Sequence, residues 1–331
     1  MDERSAYRNA AVDFLKETYV GFTPWGGQRE RENYANRPNE ELVKGVLIGR
    51  PGYQSLNRGA DPLSSFSSCL LELKGRTGKG EVDEASIRTV IDHILDNISP
   101  KDGSTRVLES ITDFFVSVNA GDREAEVKHF LQVVIGPNSQ NFVRARISAA
   151  VALAARGDYS GLGVLQEASY LKLPVMNGIQ EDDRPFPRNE IFLARAIAGD
   201  TQPDVETYFV NILKSYSRIH EPAVGIAIIG FLALGEAKSG IMLPVSHPFC
   251  AKTIGQMALE SDSVPETIKA LVRTGQTQKA SGGGGLNADH LGTADFMSRR
   301  AVRAIEQSML GRPAIGRGVH FHNRNPGRTT A

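Results

Sequence analysis

The residue best placed for nucleophilic chemistry is Cys69, in the stretch DPLSSFSSCLLELKG at positions 61–75. Small polar residues followed by an apolar run predict that Cys69 stands at the start of a helix, where the helix dipole lowers the pKa of a thiol. A thiolate nucleophile also needs a base, which here would be His93 or His129. No motif fixes that histidine or a third orienting group, and a small buried cysteine is the commoner case. Cys69 with His93 is therefore kept as the enzymatic alternative.

Side chains of the metal-ligand type are few and poorly spaced. One His-Glu pair, His220 and Glu221, stands alone, and a di-iron site needs more carboxylate and imidazole ligands than that. The two histidines of HFH at 320–322 would capture a metal weakly but cannot complete a closed site. The acidic run at 181–183 lacks the alternating ligands and the closing glutamate of a calcium loop. The sequence predicts neither a metal site nor a cofactor.

A glycine recurs at the ends of apolar helical patterns, about every 36 to 42 residues along the chain. The positions are Gly121, Gly157, Gly199, Gly235, Gly275 and Gly311. A glycine just past a helix end supplies the left-handed backbone conformation of a C-cap. Two helices of about 12 to 15 residues with two turns fill one such interval, which is the period of helical solenoids. We interpret the acidic residue that often follows as a helix cap rather than a catalyst.

The segments between the glycines have the periodicity of amphipathic helices. In one of them Val205, Phe209 and Leu213 recur every four residues, and Thr201 stands just before it as a helix start. The run at 222–235 is apolar almost throughout. It is shorter than the about 20 residues that span a bilayer, so it predicts a buried helix.

Two stretches resemble a known repeat family. RARISAAVALAARGDYSGLGVLQEA at 144–168 looks like a HEAT-like repeat of the kind found in phycobilin lyase subunits and related bacterial proteins, and the segment at 221–240 is similar to it. The resemblance covers roughly 105–275 and implies antiparallel helix pairs stacked into a right-handed superhelix with a concave surface. The predicted fold is all-α: a right-handed α-solenoid of about five HEAT-like helix pairs with an irregular N-terminal cap.

Differences in local composition divide the chain into three parts. Residues 1–80, rich in Gly, Pro, Asn and Ser after a first helix at about 5–18, form the irregular cap or a small module. Residues 81–311 form the solenoid. The tail at 312–331 is basic, without an acidic residue, and is predicted to be disordered.

Composition restricts the class of partner. The chain has 331 residues, 40% hydrophobic and 23% charged, with a formal net charge of zero. Because nucleic-acid binding proteins usually carry a basic excess, a nucleic-acid partner is disfavoured. The first residues lack the pattern of a secretory signal, and two cysteines, Cys69 and Cys250, give no disulfide framework. We expect a cytoplasmic protein without a membrane partner.

The predicted function is a non-catalytic protein-binding scaffold or adaptor that grips a protein partner with its concave face and inserted loops. The candidate binding residues lie where the repeat is interrupted or ends: Trp25, Glu181, Asp182, Asp183, Arg312 and Arg317. The alternative is an amidase-like cysteine hydrolase at Cys69. Bilin lyase activity, which the resemblance implies, and a nucleic-acid-acting HEAT-like enzyme are minor alternatives, and a small-molecule partner stays open.

Overall fold

The regular secondary-structure elements of the described residues are helical. The computed structural model describes residues 3–19, 21, 33–48, 66–101, 105–136, 143–170, 188–215, 222–235 and 252–281. The α-helices in these ranges are α1 (Glu3–Thr18), α2 (Asn39–Ile48), α3 (Phe66–Thr77), α4 (Glu84–Asn97), α5 (Thr105–Ser117), α6 (Glu124–Ile135), α7 (Val143–Ala154), α8 (Leu162–Tyr170), α9 (Arg188–Ile197), α10 (Pro203–Ser215), α11 (Pro222–Leu234), α12 (Ile254–Glu260) and α13 (Glu266–Ser281). The predicted all-α class is confirmed.

Several of the residues singled out in the sequence lie outside the described ranges. These are Trp25, Glu181, Asp182, Asp183, the pair His220 and Glu221, Cys250, Gly311 and the whole tail at 312–331 with Arg312 and Arg317. The predictions made for these residues stay predictions.

Three of the recurrent glycines end helices as the sequence predicts, with φ angles of 70° at Gly157, 77° at Gly199 and 84° at Gly235. Gly121, with a φ of 58°, instead begins a 3-10 helix at Gly121–Arg123, after α5 has ended at Ser117, so its predicted place just past a helix end is wrong. At Gly157 the backbone closes in two steps: the Gly157 N–H donates to Ala154 O and the Asp158 N–H donates to Leu153 O. These bonds satisfy carbonyls at the helix end that have no partner within the helix, and only glycine adopts the required φ without strain.

Gly275 does not end a helix. It lies inside α13, which continues to Ser281, so its predicted role as a C-cap is wrong. A glycine within a helix costs only about 1 kcal/mol relative to alanine. The flanking stretch Glu266–Ser281 offers enough helix-forming residues to carry the helix through it.

The aspartate after a helix-ending glycine joins neighbouring helices. Asp158 accepts a hydrogen bond from the Ser160 backbone at 2.9 Å and another from Gln132 Nε2 on α6 at 2.8 Å. Asp200 accepts from Gln166 Nε2 on α8 at 3.0 Å in the same manner. The acidic residue therefore holds the turn and also ties it to the preceding helix, consistent with a structural reading of the motif.

The helices α3, α5, α7, α9 and α11 pack side by side in chain order, and we call them the central row. The flanking helices α6, α8 and α10 pack against consecutive members of the row. Helix α11, predicted to be buried, is buried from Ala223 to Ala233, which confirms that prediction. No helix in the described ranges is long and apolar enough to cross a membrane.

The helix α1 covers the face of the central row that the flanking helices leave open. It packs against α5, α9, α11 and α13. In α9 every residue from Glu190 to Ile197 is buried, and α5 is buried from Val107 to Val116. A helix covered on one side only would expose a stripe on the other. The burial of Val107–Val116 on α5 and of Glu190–Ile197 on α9 therefore reflects coverage by α1 on the second side.

Helices from both sides of the predicted boundary at residue 80 contribute to one core. Helix α3, in the region predicted as an irregular cap, packs against α5, and α1 and α3 belong to the same cluster of buried apolar residues as the rest of the described chain. The described parts of residues 1–80 are largely helical. The Gly- and Pro-rich stretches at 22–32 and 49–65 that suggested irregular structure lie outside the described ranges.

Candidate functional site

The candidate site is the groove on the central row in which α1 lies. The apolar residues of α1 recur at helical spacing, so they share one face. Ala11 and Leu15 are completely buried on this face, with Tyr7 and Phe14 beside them. The opposite face, which carries Asn9 and Glu17, is exposed. Helix α1 thus sits in its groove as an ordinary amphipathic helix.

Arg8, in the N-terminal half of α1, contacts the ends of two other helices. Its Nε donates to Ala233 O, in the last turn of α11, at 3.4 Å. Its guanidinium also lies beside Gly199, where a Cβ atom would come within 2.4 Å of Nη2. The last carbonyls of a helix lack partners within the helix and carry its partial negative charge, so a cation is favourable there. Arg8 therefore fixes α1 against the ends of α9 and α11.

A chain of buried hydrogen bonds fixes the other end of α1. Ser148 Oγ, on α7, donates to Asp113 Oδ1, on α5, at 2.5 Å. Tyr19, just past the end of α1, has its Oη 2.8 Å from the same Ser148 Oγ. Because the Ser148 proton is directed to Asp113, the Tyr19 hydroxyl is the donor in the second bond. All three residues are buried, and burial holds the pKa of Tyr19 well above its ordinary value.

Two further ionisable side chains complete this polar group. Lys74 Nζ, on α3, lies 4.8 Å from the centre of the Tyr19 ring, a cation–π contact. Burial lowers the pKa of Lys74, and the nearby carboxylates of Asp113 and Glu190 oppose that shift. Burial raises the pKa of Glu190, at the start of α9, against a backbone hydrogen bond and the charge of Lys74. We call Tyr19, Lys74, Asp113, Ser148 and Glu190 the anchor cluster.

Gly21 closes the anchor cluster from above. Its φ is +78°, and a Cβ atom built on it would lie 2.2 Å from Asp113 Oδ2. Gly21 itself is buried. The chain leaving α1 therefore passes directly over the Asp113 carboxylate, at a distance that no residue with a side chain could reach.

The chemistry available in the anchor cluster is hydrogen bonding and charge pairing. Its members come from α3, α5, α7 and α9 and converge on the end of α1. Among the described residues no group of three or more His, Cys, Asp and Glu side chains is arranged to hold a metal ion. The cluster can therefore select an occupant of the groove that places a hydroxyl beside Ser148 and passes a backbone without a side chain over Asp113.

Cys69 lies elsewhere in the structure, in a setting unlike that of a nucleophile. It stands in the first turn of α3, as the sequence predicts, but its side chain is completely buried. Burial raises the pKa of the thiol to about 12, against a small lowering by Arg37. This shift is opposite to the one that the hydrolase alternative requires.

The two candidate bases are on other helices. His93 is half-buried on α4, where burial lowers its pKa against the charge of Asp96 and Asn97 Nδ2 donates to its backbone carbonyl at 2.9 Å. His129 is exposed on α6. The structure gives the pairing of Cys69 with His93 no support.

Sequence reasoning missed the anchor cluster. Asp113 lies on the side of its helix away from the apolar stripe, a position typical of a residue that faces solvent. Ser148 and Glu190 are single polar residues in largely apolar stretches, and nothing in the sequence shows what they contact. The only signal in the sequence was the early amphipathic helix α1, which had to be covered by something.

Comparison of the chain with protein-family models, with curated proteins and with solved structures gives no significant match.

Proposed function

We propose that this protein is a non-catalytic protein-binding scaffold whose groove on the central row receives an amphipathic helix. We further propose that the helices form about five HEAT-like pairs in a right-handed solenoid, with the groove as its concave face. One observation carries the functional proposal: α1 lies in this groove as a helix, with its apolar face against α5, α9, α11 and α13.

The groove has the features of a helix-binding surface. Binding of this kind uses apolar anchors at i, i+3, i+4 and i+7 on one helix face, and α1 supplies Tyr7, Ala11, Phe14 and Leu15. Polar contacts at the two ends define the position of the helix along the groove. Arg8 binds the end of α11 and Tyr19 binds Ser148. The groove therefore selects a helix by the positions of its polar side chains as well as by its apolar face.

The residues outside the described ranges keep their proposed roles in the same function. Glu181, Asp182 and Asp183 would contact a basic part of the partner, and Arg312, Arg317 and Trp25 would extend the contact beyond the groove. Protein-binding repeats often carry such insertions on their binding face. We propose a cytoplasmic setting for this interaction.

The experiment that tests the proposal measures binding of a helix to the groove in trans. The probe is a fluorescein-labelled peptide of residues 3–24, and the receptor is the full chain carrying Ala11→Asp. This substitution places a charge at a completely buried position of α1 and weakens the intramolecular helix. We expect saturable binding by fluorescence anisotropy, with a higher affinity than for the wild-type chain, whose own α1 competes at a high effective concentration.

The matched control is Asn9→Asp, which introduces the same side chain on the exposed face of α1. It should bind the peptide no better than the wild-type chain. Absence of binding to a folded Ala11→Asp chain, with helical content retained in circular dichroism, would refute the groove as a helix-binding site.

A further inference from the structure

A cleft of about 620 Å³ lies between α3 and the turn that precedes α2. Residues 35–38 form one wall, and α3 with the chain that follows it forms the other. A volume of this size is within the range of small-molecule sites, about 300–1,000 Å³. None of the residues that line the cleft belongs to the anchor cluster, so the cleft is separate from the groove that holds α1.

Arg76, on α3, fixes the wall that precedes α2. Its Nη1 donates to Arg37 O at 2.7 Å and to Asn39 Oδ1 at 2.8 Å, and its Nη2 donates to two further carbonyls of the same turn. Its Nε donates to Glu72 Oε1 at 2.8 Å, which also neutralises its charge. All five N–H donors of this guanidinium are therefore used within the protein. Arg76 positions the wall and leaves the binding of a ligand to other side chains.

Gly75 keeps the cleft open on the side of α3. It lies in the last turn of the helix without a positive φ, and a Cβ atom built on it would meet no atom within 4 Å. Neither backbone conformation nor close packing requires glycine here, although glycine in a helix costs about 1 kcal/mol relative to alanine. Because Gly75 lines the cleft, a larger side chain at this position would occupy it. The glycine therefore leaves room for a ligand.

Two opposite charges on the cleft have no partner in the described part of the chain. The Lys79 ammonium and the Glu81 carboxylate both line the cleft, and they pair neither with each other nor with another described residue. The other cation of the cleft, Arg37, pairs with Glu41 at 3.0 Å. The backbone N–H groups of Lys79 and Glu81 donate to the same carbonyl near the end of α3, at 3.1 and 2.9 Å. Both charges thus stand on a fixed backbone.

We propose that this cleft binds a small zwitterion of the amino-acid class, a free amino acid or a short peptide with an apolar side chain. Lys79 binds the carboxylate of the ligand and Glu81 binds its ammonium group. Leu71, Ala35 and Pro38, which also line the cleft, contact the apolar side chain. A simple anion would face the Glu81 carboxylate and a simple cation would face Lys79, so charge complementarity favours a molecule that carries both charges.

The test measures the binding of leucine and of leucyl-leucine to the full chain by isothermal titration calorimetry. We expect at least one of them to bind saturably, and the two titrations distinguish a free amino acid from a peptide. The N-acetylated form of the ligand lacks the ammonium group, and its C-terminal amide lacks the carboxylate. Each of these derivatives should bind about tenfold or more weakly, because Glu81 or Lys79 then has no counter-charge.

Variants of the chain locate the binding. Gly75→Leu fills the cleft and should abolish binding. Gly163→Leu, on α8, is the matched control, because a Cβ atom there also meets open space, and it should leave binding unchanged. Lys79→Gln and Glu81→Gln alter exposed side chains, so they should keep the fold, and each should lower the affinity about tenfold.

Three results would overturn the proposal. The first is the absence of saturable binding of both zwitterions to the wild-type chain. The second is equal binding of the ligand and its N-acetylated or amide form, which would refute recognition of both charges. The third is unchanged binding in Gly75→Leu, with helical content retained in circular dichroism, or in both Lys79→Gln and Glu81→Gln, which would place the binding outside this cleft.

Discussion

Tyr19 Oη lies 2.8 Å from Ser148 Oγ, across a separation of 129 residues in the sequence. This bond joins the end of α1 to the middle of α7, and Ser148 Oγ in turn donates a hydrogen bond to Asp113 Oδ1. A hydrogen bond of this kind contributes about 1 kcal/mol net, and a buried acceptor that loses its donor costs about 1–3 kcal/mol. The hydrogen bond between Tyr19 and Ser148 therefore contributes measurably to holding α1 against the central row.

The substitution Tyr19→Phe should lower the free energy of unfolding by about 1–2 kcal/mol, because Ser148 loses its buried donor. Urea denaturation followed by circular dichroism measures this change. Tyr159→Phe is the matched control, since that side chain is 42% exposed, and it should change the free energy by less than about 0.5 kcal/mol. Equal effects of the two substitutions would contradict the role assigned to the Tyr19 hydroxyl.

The local parts of the fold could be predicted from the sequence. A helix end at Gly157 or Gly199 depends on the conformational freedom of one residue and on its immediate neighbours, and both glycines have positive φ. The failure at Gly275 has the same local basis, because the sequence alone does not weigh one glycine against the helix-forming residues around it.

The candidate site could not be predicted, because its members meet only through tertiary packing. Asp113 lies away from the apolar stripe of its helix, yet both Asp113 and Glu190 are buried in the structure, where α1 packs against α5 and α9. The sequence shows that α1 has an apolar face, but it does not show which surface that face packs against. The same limit explains Cys69, whose place on a helix was predicted and whose complete burial was not.

A pair of glycines separates backbone strain from packing. Gly157 has a φ of +70° with nothing near a built Cβ atom, and Gly163, on α8, also has open space but no positive φ. Gly157→Ala should therefore destabilise the protein by about 1 kcal/mol through strain alone. Gly163→Ala should stabilise it by roughly 0.5–1 kcal/mol through the higher helix propensity of alanine. Thermal unfolding of both variants measures the difference, and shifts of the same sign would refute this explanation.

Removing the guanidinium of Arg195 should be among the most destabilising changes in the described chain. Its Nη1 and Nη2 donate to Asp204 at 2.6 and 3.0 Å, and its Nε donates to Asp200 at 2.9 Å, with the side chain completely buried. Arg195→Met leaves these carboxylates without their cation, and we expect a loss of roughly 3 kcal/mol or more. Arg195→Lys should lose less, because it keeps the charge without the two-pronged geometry.

The control for Arg195 is an exposed ion pair. Arg273, 56% exposed, pairs with Glu266 at 3.2 Å, and Arg273→Met should cost less than about 1 kcal/mol. Denaturant unfolding of the three variants gives the comparison. A change at Arg195 as small as that at Arg273 would show that the buried network does not hold α9 to α10.

Cys69 should be unreactive in the folded protein. In the full chain carrying Cys250→Ser, Cys69 is the one remaining thiol. Because it is buried and its pKa is raised to about 12, a maleimide or iodoacetamide reagent should label it only after the addition of denaturant. Mass spectrometry follows the labelling. Rapid labelling of the native chain at neutral pH would restore the hydrolase alternative.

Glu190 should make stability depend on pH. Because burial raises its pKa above the ordinary 4.5, the folded state binds the proton more tightly than the unfolded state. The contribution of Glu190 is then fully present below pH about 4.5 and is lost as the pH rises through the raised pKa. Lys74 on α3 and Tyr19 interact with the charge of this carboxyl, and Asp113 on α5 interacts with both of them; all three are unchanged in Glu190→Gln.

The variant Glu190→Gln keeps the shape of the side chain and removes its ionisation. We expect wild type and variant to have similar stability at the acid end of this window. Near neutral pH the variant should be more stable by on the order of 1 kcal/mol, because it has no buried carboxylate to desolvate. Urea unfolding across the pH range measures the difference, with Glu167→Gln, exposed on α8, as the control. A difference that is constant with pH, or that shrinks towards neutral pH, would mean that Glu190 is not held in the buried anchor cluster beneath α1.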